Sequence, residues 1–516
     1  MNYEYFNIGS FSPCSTSFFC RTSSLHKLKS VQDKFLTNGY LAEAYAERGR
    51  YEKMLKHALI QLQLANEQED DSMRARAYLT LAKANEKLGE FDRSINYSKI
   101  CLDFKLKSNP ETVGYIHLNL ASLYLAKGDF SSTFENLRNA EVVVRKTCEK
   151  LLELQVYLGM GVLYMNLNDL TKAATYLDAC LSLSSVMVVE DTKIKYQSVI
   201  LCHLAALYRK RKLLDKAERI CQEALNFARS NGNKPIEARG LVLLGDIVRD
   251  ALRFQDQTLA WISYNNAGTL ASDMDDILLQ VTIMNSTAKC ATEQYLIGIN
   301  CECQAVSLNE SCSDLAESIG CKLITLKCQS RLRKLYESLS DDKKLDGAKK
   351  KCLRLVQELQ LFCNLCGQRY ALKDESLRAL PCSHFFHEQC LIARRQSRDS
   401  VSNVQPCPKC QSHRFSFLEE QKPPLPNCGN TTETAPEFRR PRNQNYHVFE
   451  IFVQINSIGE FQSKTFVVDR RSLFDQIFRP LFDISVIGVV AAAAENFSRH
   501  FEFSRTAGAK ITHGQS

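Results

Sequence analysis

LAEAYAERGRY, at residues 41–51, carries a pattern that returns four more times down the chain. A small residue is followed three positions on by an aromatic, four further by a Gly or turn former, and two further by an apolar residue. Ala42, Tyr45, Gly49 and Tyr51 align with Ala82, Asn85, Gly89 and Phe91, then with Ala121, Tyr124, Gly128 and Phe130. Gly161, Tyr164, Asn168 and Leu170 follow, and then Ala205, Tyr208, Lys212 and Leu214, with Ala217 and Ala224 further on. The physical logic is that of a helical hairpin: small residues let two helices approach, the ring fills the gap beside them, and Gly or Asn supplies the left-handed turn. Each hairpin can cover its apolar face only with its neighbour, so the copies stack.

Turn positions 49, 89, 128, 168 and 212 lie 40, 39, 40 and 44 residues apart, against about 34 in the tetratricopeptide repeat, whose pattern these copies resemble. The excess predicts helices longer by most of a turn, or longer connections. The expected fold is mainly α: a tetratricopeptide-repeat superhelical solenoid over residues 38–320, with five clear copies and two degenerate ones. In the degenerate part GLVLLGDIVRD (240–250) begins like a first helix, Trp261 falls in the second, and AKCA (288–291) starts another hairpin. The Tyr and Ala stripe reads as core, which leaves the concave face for partners.

Residues 322–362 read as a charged helix. Leu345, Ala348, Cys352, Leu355, Leu359 and Phe362 alternate at threes and fours, with Lys343, Lys344, Lys349, Lys350, Lys351 and Arg354 around them. That pattern suits a short coiled coil and equally a terminal solenoid helix that caps the core.

Beyond it stand Cys363, Cys366, Cys382, His384, His387, Cys390, Cys407 and Cys410, spaced C-x2-C-x15-C-x-H-x2-H-x2-C-x16-C-x2-C. Two-residue gaps let one tight turn aim two ligands at one metal, zinc takes four, and eight ligands therefore mean two ions. Scattered structural cysteines are the plainer alternative, but they leave the two histidines and the paired spacings unexplained. The order resembles the RING-H2 finger, in which ligand pairs alternate. That resemblance implies one site of Cys363, Cys366, His387 and Cys390 and another of Cys382, His384, Cys407 and Cys410.

The other 15 of 21 cysteines lie scattered, without the dense pairing of a secreted disulfide scaffold, which favours a reducing cytosol. A net charge of +8 over 516 residues falls short of the clustered basic face of a nucleic-acid binder. No stretch reaches the roughly 18–20 apolar residues of a membrane span, SVIGVVAAAA (485–494) being half that length. The first 27 residues lack a signal peptide's basic start and long apolar run, and residues 1–37 read as a divergent, disordered lead. After the finger, KPPLPNCGNTTETAPEFRRPR lies in a Pro-rich linker over 418–445. The tail, 446–516, offers a hairpin at 446–468 about Ile458 and Gly459, then a helix at 470–482.

Repeats of about 40 residues, a charged helix and a RING-H2 finger, in that order, resemble the rapsyn family of synaptic receptor-associated scaffolds. The likeness is carried by GRYEKMLK (49–56), NEKLGEF (85–91), AKC (288–290) and, above all, LRALPCSHFFHEQCL (377–391). It implies a cytoplasmic, postsynaptic protein whose repeats self-associate. It further implies that the helix before the finger, at Lys349, Lys350 and Lys351, engages the cytoplasmic loop of nicotinic acetylcholine receptors. The finger would link to dystroglycan and the cytoskeleton, or support ubiquitin-like transfer. Family members begin Met-Gly, whereas this chain begins Met1-Asn2, so no N-myristoyl anchor is expected at this terminus and membrane recruitment is expected to run through partners.

An E3 ubiquitin ligase is the alternative. In such a ligase a carrier enzyme docks on an apolar residue inside the first Cys pair and a proline after the seventh ligand, here Leu365 and Pro408. Residues 391–405 contain no aromatic, and Gln411 stands where active ligases place a cation, so a non-enzymatic scaffold is the stronger expectation. No nucleophile elbow, phosphate-cradling glycine loop or metalloprotease helix points to another enzyme class.

Overall fold

The structure, a computed structural model, describes residues 30–104, 110–187, 190–251, 258–299, 301–396, 404–411, 414–416, 446–450 and 465–469. Sixteen of its helices form eight hairpins. They are α1 (Val31–Glu47) with α2 (Tyr51–Glu67), α3 (Asp71–Lys87) with α4 (Phe91–Asp103), α5 (Pro110–Lys127) with α6 (Phe130–Thr147), and α7 (Lys150–Asn166) with α8 (Leu170–Ser185). The second four are α9 (Glu190–Lys210) with α10 (Leu214–Ser230), α11 (Lys234–Ala251) with α12 (Thr258–Ser272), α13 (Ile277–Leu296) with α14 (Glu302–Ser318), and α15 (Lys322–Ser338) with α16 (Asp342–Glu358).

The turn positions of the repeat are left-handed throughout: Gly49, Gly89 and Gly128 at φ +70, +79 and +85, and Asn168 and Lys212 both at +63. The long spacing resides in the helices, mostly 16 to 18 residues each, and the widest interval, 168 to 212, contains the 21-residue α9. Gly161 and Gly245 mark close helix approaches, since a Cβ there would lie 3.0 Å from Leu177 and 2.6 Å from Tyr264.

Two expectations need correction. Residues 31–37 belong to α1, not to a disordered lead, and Ser30 caps that helix by accepting the Asp33 N–H. Residues 322–362 are not one coiled-coil helix but an eighth hairpin, broken at Ser340, which sits at φ +55. The seam packs inward: Leu345 and Ala348 meet Leu332, Leu335 and Tyr336, while Cys352, Leu355 and Leu359 join Leu323 and Leu326.

The solenoid winds back on itself. The turn at Gly49 meets Met274 and Asp275 ahead of α13, the turn at Gly89 meets Ile277 and Ile319, and the turn at Gly128 meets Leu323 and Leu359. The next turn in this series, at Asn168 and Asp169, meets the module that follows α16. That module takes the place a ninth hairpin would fill.

Residues 426–516 form a separate unit. Within it β5 (Tyr446–Glu450) pairs antiparallel with β6 (Thr465–Asp469), Val448 opposite Val467. The sequence-predicted hairpin turn at Ile458, the helix at 470–482, the segment 485–494 and the Pro-rich linker lie outside the described residues. Among the described residues no helix is long and apolar enough to cross a membrane.

Candidate metal centre

After α16 come two short antiparallel pairs, β1 (Leu377–Ala379) with β2 (Phe385–His387) and β3 (Val404–Pro406) with β4 (Arg414–Ser416), and the helix α17 (Glu388–Gln396). Tight turns aim the side chains. Gly367, at φ +69, returns its N–H to the Cys363 carbonyl at 2.8 Å. Ser383, at φ +63, separates Cys382 from His384, and Gln411, at φ +57, donates its N–H to the Cys407 carbonyl at 3.0 Å.

The eight Cys and His residues gather into two groups, Cys363 with Cys366, His387 and Cys390, and Cys382 with His384, Cys407 and Cys410. Within each group one donor atom per residue lies within 4.8 Å of the others. His387 Nδ1 stands 3.3 Å from Cys366 Sγ and 3.8 Å from Cys390 Sγ; His384 Nδ1 stands 3.4 Å from Cys382 Sγ and 3.7 Å from Cys407 Sγ. A tetrahedral zinc with Zn–S of about 2.3 Å and Zn–N of about 2.0–2.1 Å has N···S edges of about 3.5 Å, so donor set and spacing fit that ion. Burial, and after it the neighbouring cysteines, push the Cys382 and Cys390 thiols up to about 12. Burial also opposes ionisation of Cys363, but backbone N–H groups of His387, Leu365 and Cys366 outweigh it and lower that thiol. Thiols crowded in this way shed their protons to a divalent cation.

Sequence spacing does not reveal Glu375. Its Oε1 lies 3.5 Å from His387 Nε2, the ring atom that faces away from the cluster. At that separation the two buried atoms form no hydrogen bond, and a carboxylate in this position is what would fix the tautomer and orientation of a ligating imidazole.

The module is joined to the solenoid by a shared core. Tyr370, Leu377, Ala379 and Phe385 pack in one cluster with Phe134, Leu137, Leu170 and Leu359, and the rings of Phe134 and Phe385 meet edge to face at 5.6 Å. Asp169 Oδ2 accepts the Leu377 N–H, and Asp374 Oδ1 accepts the Leu170 N–H, both at 3.0 Å. Lys172 adds an ion pair to Glu388 at 3.6 Å.

Leu365 is half-buried beside Leu380, Phe386 and Leu391, Pro408 is half-buried, and Ile392 on α17 is 39% exposed. Gln411 folds its amide onto the Pro408 carbonyl at 3.3 Å. Of the three lysines on α16, Lys350 pairs with Asp346 at 2.7 Å and Lys351 with Glu317 at 2.6 Å. Lys349 is exposed, with no hydrogen-bond or ion-pair partner among the described residues.

This architecture is a tetratricopeptide-repeat solenoid followed by a Cys/His module compatible with a RING-like zinc finger. A tetratricopeptide repeat model matches residues 154–186, which run from α7 to the end of α8. The chain is 30% identical over 392 residues to the 43 kDa receptor-associated protein of the synapse of Gallus gallus, covering 75% of this chain and 90% of that protein. To its counterpart in Tetronarce californica it is 28% identical over 388 residues, covering 73% and 88%. The chain belongs to this family of receptor-associated proteins. It is also 36% identical over 64 residues, 12% of this chain and 18% of the other, to the E3 ubiquitin-protein ligase RNF126 of Mus musculus. Among solved structures, a Rap protein complexed with competence and sporulation factor is similar at a TM-score of 0.47 and 12% identity, covering 67% of this chain and 99% of that one.

Proposed function

We propose that this chain is a cytoplasmic scaffold, peripheral at the postsynaptic membrane, that binds and clusters nicotinic acetylcholine receptors and links them to the cytoskeleton through dystroglycan. The observation that carries this reading is the family relationship, which spans three quarters of the chain and nine tenths of the avian relative. Self-association is assigned to the repeats, and the receptor loop to the α16 face that includes Lys349, Lys350 and Lys351. Two zinc ions complete the finger, one on Cys363, Cys366, His387 and Cys390 and one on Cys382, His384, Cys407 and Cys410. The test is co-expression of the full chain with receptor subunits in cells that contain neither. Receptor clusters and movement of the scaffold from cytosol to membrane are expected, whereas diffuse receptors beside a cytosolic scaffold overturn the reading.

A ubiquitin-ligase role has its own support in the likeness to RNF126 and in the half-buried Leu365 and Pro408. Catalysis would then be proximity: the finger holds a charged carrier enzyme and orients its thioester. Autoubiquitination with a panel of carrier enzymes tests it. Transfer that survives Leu365→Glu and Pro408→Glu rules out this docking mode, and a gain in Gln411→Arg identifies the missing cation as the limiting feature.

A further inference from the structure

Of the cysteines outside the finger, the two closest in sequence are Cys301 and Cys303, in the segment CEC at the head of α14. Cys301 is the N-cap of that helix, at φ −78 and ψ 148, and Cys303 stands in its first turn. Cap and turn together bring the two side chains into contact, Sγ to Sγ at 3.0 Å. Both residues are exposed, and neither belongs to an apolar cluster among the described residues. Core packing therefore does not account for two thiols at this point.

The remaining cysteines of the solenoid are held differently. Burial pushes Cys101, Cys202, Cys290 and Cys321 up to about 12, which keeps them as inert thiols. Cys312 and Cys328 interact with each other but are buried. Cys148 is exposed, as the left-handed C-cap of α6. At the head of α14, the Cys303 S–H and then backbone N–H groups lower the Cys301 thiol, and Cys303 shifts up in return. One thiol is disposed to ionise while its neighbour keeps its proton.

We infer that Cys301 and Cys303 form a redox-active dithiol, a modification site at which hydrogen peroxide closes a reversible disulfide. Cys301 is the attacking thiol and Cys303 the resolving one. The Cys301 thiolate attacks one peroxide oxygen: an S–O bond forms, the O–O bond breaks, and hydroxide leaves with the electron pair. That hydroxide takes the Cys303 proton and becomes water. The Cys303 thiolate then attacks Cys301 Sγ and forms the S–S bond, while the S–O bond breaks. The second hydroxide takes up the proton that Cys301 gave to solvent on ionising. Each sulfur loses one electron, peroxide gains two, and two waters result. A disulfide has an S–S distance of about 2.05 Å, so about 1 Å of side-chain movement closes the pair. Because the site lies on the surface, a dithiol reductase can reach the bridge and reopen it by exchange, as a transient disulfide in a reducing compartment requires.

The test treats the zinc-loaded full chain with a small molar excess of hydrogen peroxide, then blocks free thiols with N-ethylmaleimide in denaturant. Mass spectrometry reads each cysteine after digestion with a glutamate-specific protease. Cleavage after Glu302 separates Cys301 from Cys303 unless a bridge holds them. The expected result is a covalently closed species spanning both cysteines, with N-ethylmaleimide labelling of each about tenfold below that of Cys148 and restored by dithiothreitol. Cys303→Ser should stop at a sulfenic acid on Cys301, which dimedone traps. Cys301→Ser should leave Cys303 labelled as fully as Cys148, and because serine is a preferred N-cap this variant keeps the helix start. Equal labelling of Cys301, Cys303 and Cys148 after peroxide, oxidation of the pair without a bridge, or undiminished oxidation of Cys303 in Cys301→Ser overturns the inference.

Discussion

Asp169, at the head of α8, accepts the backbone N–H of Leu377 on β1 at 3.0 Å while only 1% of the residue is exposed. The same carboxylate caps its own helix by accepting the Lys172 N–H at 3.0 Å, so one side chain closes a repeat and fastens the finger to it. Asp169→Ala leaves the buried Leu377 N–H and the part-buried Lys172 N–H without their acceptor. The lost cap costs about 1 kcal/mol and the unsatisfied donors about 1–3 kcal/mol more. Denaturant unfolding should show that loss, with Asp169→Asn retaining part of the capping contribution, and limited proteolysis should cut faster at the junction.

Metal removal should be felt outside the finger. Structural zinc contributes on the order of 10 kcal/mol per site to the folding of isolated fingers. Here Leu377, Ala379 and Phe385 also complete the core around Phe134 and Leu170. The expectation from sequence alone is that Cys363→Ser or His384→Ala unfolds the finger and leaves the solenoid helical. The shared core adds that α6, α8 and α16 lose hydrogen-exchange protection on chelation while α1 to α4 keep theirs. Metal analysis should return two zinc ions per chain; zero or one is incompatible with the paired clusters.

Four of the five aligned turns were legible because Gly, or Asn, at a left-handed position interrupts a strong helical period; the fifth, at Lys212, showed only through its alignment with Ala205, Tyr208 and Leu214. The eighth hairpin obeys the same geometry with other letters. Tyr336 stands four residues before Ser340, as Tyr45 stands before Gly49, but Arg333 replaces the small residue and Ser340 accepts the positive φ without a glycine to announce it. Its inward seam, at threes and fours, is shared by coiled coils and stacked hairpins, which is why periodicity alone left the two open. The Cys and His residues of the two clusters were legible because side chains that converge on one point from a tight turn need a fixed spacing. Glu375 and Asp169 act through space across folded elements, and no local pattern marks such residues.

Gly128 and Gly232 separate two costs that a turn glycine can hide. Both have positive φ, +85 and +63, but a Cβ at Gly128 would lie 2.5 Å from Leu359 whereas one at Gly232 meets nothing within 4 Å. Gly232→Ala should therefore cost about 1–2 kcal/mol from the backbone alone. Gly128→Ala should cost about 1–3 kcal/mol beyond that, because the contact that closes hairpin three onto hairpin eight is overpacked. Equal losses in thermal or denaturant unfolding would show that this contact contributes nothing.

His203 on α9 gives the solenoid an acid dependence of predictable sign. Burial, and then the Arg239 guanidinium, lower its imidazole to about 4, against about 6.5 in an unfolded chain. Between those values the unfolded chain takes up a proton that the folded one refuses, so stability rises with pH through this window. The contribution is fully present above about pH 6.5 and is lost progressively as pH falls toward 4. His57, lowered by burial, acts in the same direction. Urea midpoints of the native chain and of His203→Gln, compared at pH 7.5 and pH 5, should show a smaller acid-induced drop in the variant. An undiminished drop would mean that the ring is protonated in the fold, with a carboxylate or backbone oxygen turned toward it.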